Sequence, residues 1–60
     1  MITDYQRVTI RRGFEHHSLA ELKASQAFHK DAHDEMPLEL TAVKLEILAA
    51  MIKEKAHGHE

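Results

Sequence analysis

His29 and His33 stand four positions apart, the spacing that puts two imidazoles on one helix face where they can share a metal ion. They supply only half of a tetrahedral ligand set. Asp34, Glu35 or a histidine from another subunit would have to complete it, and no spacing in the chain requires that. Glu54 and His57 form an isolated Glu-x-x-His, whereas a carboxylate-bridged metal pair in a helical bundle needs two such motifs and two further glutamates. The expectation is therefore no metal and no cofactor, with His29 and His33 as the candidate ligands if one binds. The alternative use of six histidines in 60 residues is at surfaces or interfaces, where protonation below neutral pH tunes association. Nucleophilic chemistry has no carrier. There is no cysteine, neither Ser18 nor Ser25 lies in a Gly-x-Ser-x-Gly elbow, and Gly13 and Gly58 belong to no phosphate-cradling loop. No catalytic residue emerges, and the chain reads as non-enzymatic.

Charge offers the other lead. Residues 1–30 hold five basic and three acidic side chains, residues 31–60 three basic and seven acidic, within a net charge of −2. The basic excess lies at Arg7, Arg11 and Arg12, which with Thr9 form the candidate contact for a nucleic acid or an acidic partner. From Arg7 to Arg11, polar and apolar residues alternate and three consecutive residues are β-branched, the pattern of a half-buried strand. Thr3 and Gln6 are also spaced as a capping box that would start a helix at Asp4. Both readings of residues 4–12 stay open. Strand, helix, helix, with Arg7, Thr9 and Arg11 on one strand face, resembles in outline the ribbon-helix-helix repressors. That resemblance implies paired strands from two chains reading the DNA major groove, with Val8 and Ile10 facing the core. It covers the order of elements and five residues of alternation.

The elements that must position these side chains are clearer downstream. Ser18 followed by Glu21 is a capping box, and Ser18 to His33 reads as a helix with Leu22, Ser25, Phe28, His29 and Ala32 on one face. The short connection Asp34–Pro37 then implies an antiparallel hairpin with a second helix, Pro37 to His57. On that second helix Leu38, Ala42, Leu45, Leu48, Ala49, Ile52 and Ala56 form one apolar face. Leu40, Val43, Ile47, Ala50 and Met51 form another, nearly opposite. The polar stripes between them, Glu39, Glu46 and Lys53 on one side and Lys44 and Lys55 on the other, are thin. The hairpin core is expected at Leu22, Phe28, Leu38, Leu45, Leu48 and Ile52, and Leu40, Val43, Ile47, Ala50 and Met51 are expected to form an oligomer interface.

That second face drives the assembly expectation. Nine of the chain's eighteen large apolar residues fall between Met36 and Ile52, and a single helical partner cannot cover two opposite faces. The chain also lacks disulfides and is at the size where a core alone rarely suffices. The expected fold is mostly α: residues 1–17 a short N-terminal arm, strand or helix, residues 18–57 a two-helix antiparallel hairpin, and residues 58–60 a tail, assembled into a helical homo-oligomer. The longest uncharged stretch near the C-terminus, Ile47 to Ile52, is far too short to span a bilayer. No signal-peptide core precedes Asp4 and Arg7, so the chain reads as a cytoplasmic protein with no membrane partner. The expected function is a small interaction or regulatory module that binds another macromolecule, its partners being itself and another protein. The alternatives are a DNA-binding regulator of ribbon-helix-helix type using residues 7–11, and a structural subunit of a larger assembly.

Overall fold

The structure, a computed structural model, describes residues 2–58 and contains three helices: α1 (Asp4–Phe14), α2 (Leu19–Glu35) and α3 (Glu39–Gly58). Met1, His59 and Glu60 lie outside the described residues, and with them most of the expected tail. The fold is thus a three-helix arrangement and not a two-helix hairpin with an arm.

Residues 4–14 are helical because the local signals for a helix are satisfied and those for a strand have nothing to pair with. The Thr3 hydroxyl accepts the Gln6 N–H at 3.1 Å, and the Gln6 side-chain oxygen accepts the Thr3 N–H at 2.8 Å, so two donors that a bare helix end would leave orphaned are used. β-Branching is accommodated in place. Thr9 turns its hydroxyl onto the Tyr5 carbonyl at 2.9 Å, the back-bond one turn earlier that β-branched hydroxyl residues make in helices. Val8 and Ile10, expected on one face of a strand, are instead rotated by about 200° on the helix: Ile10 packs inward and Val8 is exposed.

α2 opens on the second capping box. The Ser18 hydroxyl accepts from Glu21 N–H at 3.2 Å and the Glu21 carboxylate accepts from Ser18 N–H at 2.9 Å. The helix runs two residues beyond the expected His33 and stops because Pro37 forces the residue before it out of the helical region; Met36 is extended at φ −142°, ψ 91°. α3 begins two residues after the proline and carries the core.

α2 packs antiparallel along α3, and α1 lies parallel to α3, its Arg7 opposite Glu46 and its Arg11 opposite Glu54. α1 and α2 barely touch each other except where the Phe14 and His29 rings meet edge to face, 6.3 Å apart. The core is Leu22 from α2 with Val43, Ile47, Leu48 and Met51 from α3, and Ile2, Ile10, Phe14 and Ile52 pack against it. α1 is therefore the cover for the second apolar face. Val43, Ile47 and Met51, expected to meet another subunit, are buried within the chain, while Leu40 and Ala50 of that expected interface are exposed. Of the two grounds for expecting a homo-oligomer, the third helix removes one, an apolar face with no cover in the same chain; the small size of a chain without disulfides is untouched by it.

Candidate functional site

The arginine cluster does not lie on a strand. A helix at residues 4–14 replaces the strand that the ribbon-helix-helix resemblance requires, and it turns Thr9 away from Arg7 and Arg11. The two arginines are engaged within the chain. Arg11 Nη2 donates to both carboxylate oxygens of Glu54 at 2.9 Å, and Arg7 Nη1 lies 3.5 Å from Glu46 Oε2. Arg12 is exposed on the outer side of α1, on the stripe that also carries Tyr5 and Val8.

The histidines are placed less openly than their spacing alone suggests. His29 and His33 sit half-buried on the inner side of α2, with His29 edge-on to Phe14 and to Phe28, the latter at 5.4 Å. Burial, and then the Lys44 ammonium of α3, lower the pKa of His29, because both disfavour the imidazolium. His33 Nδ1 is buried without a hydrogen-bond partner. Among the described residues no group of three or more His, Cys, Asp or Glu comes together in a way that would hold a metal. Glu54 of the Glu-x-x-His is held by Arg11, and His57 is exposed near the end of α3.

Two clefts open on the surface. One, about 260 Å³, lies in the seam where Phe14, His17, Leu22, Met51 and Lys55 meet; the Lys55 ammonium donates to the His17 carbonyl at 2.7 Å across its edge. The other, about 540 Å³, runs along α2 beside Lys23, Lys30, His33 and Leu45. Both are open to solvent; the first is also lined by Glu15 and by the Arg11–Glu54 pair.

Six large apolar side chains are exposed, on all three helices and the α2–α3 connection. Tyr5 is 80% exposed, Phe28 69% and Met36 65%, and Val8, Leu38 and Leu40 are exposed as well. Phe28 and Leu38 were expected in the hairpin core. Phe28 falls six residues after Leu22, which rotates it by about 120° from that buried side chain, and Leu38 precedes the first residue of α3 in the connection. Leu45 and Ile52 are half-buried, and only Leu22 and Leu48 of the expected core are fully covered. Met36 and Tyr5 escaped sequence reading, and Val8, which the resemblance placed facing the core, is exposed instead. For Tyr5 and Val8, the signal was their helical spacing with Arg12, visible only once residues 4–14 are read as a helix.

No protein family, curated protein or solved structure compared with this chain matches it. Among the described residues, no helix is long and apolar enough to cross a membrane.

Proposed function

We propose that this protein is a small non-enzymatic interaction module that binds another protein through the apolar side chains left on its surface. One observation carries the reading. The chain exposes 4569 Å², whereas a compact chain of 6.9 kDa exposes about 4,000 Å², and the surplus includes a tyrosine, a phenylalanine and a methionine. Those residue types are the ones enriched at protein interfaces, since they bring large contact area at small entropic cost. A cytoplasmic setting belongs to the same proposal, since the cysteine-free chain fits a reducing compartment.

Affinity capture on the immobilised full chain, run in parallel with a Phe28→Glu/Met36→Glu variant, tests it. Both side chains are exposed, so circular dichroism of the variant should match the parent. The expected result is a polypeptide retained by the parent and lost by the variant. Retention by both, or by neither, would overturn the reading. A mobility-shift assay on randomised duplexes at moderate salt provides the contrasting arm: an enriched sequence would point to DNA in place of a protein.

A further inference from the structure

The two helices that cover α3 are not held alike. α2 contributes Leu22, 1% exposed, and packs along most of α3. α1 contributes no buried residue. It rests on α3 through half-buried Ile10 and Phe14, through Ile2 just before it, which packs on the core and whose N–H lies 3.3 Å from Glu39 Oε1, and through the ion pairs Arg7–Glu46 and Arg11–Glu54, all four of whose side chains remain about half-exposed or more. Exposed ion pairs contribute little stability and are screened by salt. The 260 Å³ cleft lies in this seam, so the packing beneath the end of α1 is incomplete. An eleven-residue helix is also too short to persist in water once it leaves its support.

We propose that α1 is a displaceable cover, and that the surface beneath it is a docking site for a basic amphipathic helix of a partner protein. The site is specific in its chemistry. Val43, Ile47 and Met51 form an apolar stripe, and Glu46 and Glu54 stand along its edge as acceptors. An occupant must therefore carry aliphatic or aromatic residues on one stripe and arginines about a turn apart beside it, as α1 does with Ile10, Phe14, Arg7 and Arg11. Leaving does not require the rest of the fold to open. The connection between α1 and α2 is pinned to α3 by the Lys55–His17 hydrogen bond, and the capping box of Ser18 and Glu21 closes α2 on its own residues. The proposal builds on the reading of the protein as an interaction module but uses a different surface, so the Phe28 and Met36 test can fail while this one succeeds.

Native-state hydrogen exchange on the unmodified chain gives the first measurement. Amides of Val8–Phe14 should exchange at least about tenfold faster than those of Val43–Met51, and the ratio should widen when potassium chloride is raised from about 0.1 to about 1 M. Equal protection of both segments at both salt concentrations would overturn the proposal. The second measurement uses a full-length Arg7→Glu/Arg11→Glu variant, in which α1 is repelled by Glu46 and Glu54, and a labelled synthetic peptide with the sequence of residues 2–15 as the probe. The peptide should bind the variant at least about tenfold more tightly than the parent, whose own α1 competes for the site. A peptide with both arginines changed to glutamate should bind neither. Equal binding to parent and variant, or binding of the charge-reversed peptide, would refute the site, and the exchange measurement decides independently if the variant fails to fold.

Discussion

Leu22 and Leu48 are 1% and 0% exposed and lie where α2 crosses α3, so truncating either removes contacts that no neighbour can replace. Leu22→Ala and Leu48→Ala should each cost about 2–5 kcal/mol. A core of this size rarely supplies more than about 3–5 kcal/mol, so both variants should be largely unfolded at room temperature by circular dichroism. His33 works in the opposite direction. Its Nδ1 is buried without a partner, an arrangement that carries the desolvation cost of a polar atom with no compensating bond. His33→Leu should stabilise the chain by about 1 kcal/mol, read as a melting temperature about 4–8 °C higher; a lower melting temperature would mean that the ring makes a contact worth more than that cost. His29 sets the pH response. Its folded-state pKa is lowered, chiefly by burial and then by Lys44, so below the ordinary value of 6.5 the unfolded chain takes up the proton first. Stability is therefore full above that value and falls as pH drops through it, until the folded-state group protonates as well. Glu21, lowered by its hydrogen bonds from the Ser18 backbone and hydroxyl, adds a second loss as pH falls below 4.5. The melting temperature should drop between pH 7.5 and 5.5, and the drop should shrink in His29→Gln.

At the scale of elements, α1 carries a glycine that its conformation does not need. Gly13 has no positive φ, and a Cβ placed there meets nothing within 4 Å. Gly13→Ala should therefore stabilise α1 by about 0.5–1 kcal/mol and slow exchange of its amides while leaving those of α3 unchanged. Thr3→Ala, which removes the cap hydroxyl, should do the reverse by about 1 kcal/mol. α2 and α3 were legible in the sequence because the Ser18–Glu21 capping box opens the first and Pro37 divides it from the second, a run of good helix formers. α1 was legible only as a choice, since Thr3 and Gln6 signalled a helix while Val8, Thr9 and Ile10 signalled a strand. What decides between them is tertiary: a lone strand has no partner in this chain, whereas a helix can lay Ile10 and Phe14 on the face of α3 that α2 leaves open. The same undecided segment misled the reading of α3, because a doubly apolar helix with one known neighbour implies a second subunit, and with two neighbours it does not. The ion pairs to Glu46 and Glu54 were hidden for the same reason, as they join residues 39 and 43 positions apart.

Viewed whole, the molecule is an open arrangement in which α3 is flanked on both sides and the flanking helices scarcely meet. Its Cα radius of gyration is 11.5 Å, against about 10.4 Å expected for a compact chain of this length, and the surplus surface has the same origin. Closing a third interface between α1 and α2 would make unfolding a single event. Without it, α1 is coupled to the remainder chiefly through its seam with α3 and the Phe14–His29 ring contact, and cooperative loss of all three helices is not enforced. The chain provides its own local reporter, because Tyr5 is its only tyrosine and there is no tryptophan, and Tyr5 lies on α1. In a urea titration, the anisotropy of tyrosine emission should therefore fall before the far-ultraviolet circular dichroism, which is dominated by the longer α2 and α3. Gly13→Ala should draw the two curves together by strengthening the weaker unit, and Arg11→Gln should separate them further by removing the bidentate contact with Glu54. Superimposed transitions in the parent chain would show that α1, α2 and α3 unfold as one body, and that the seam between α1 and α3 is stronger than its half-buried contacts imply.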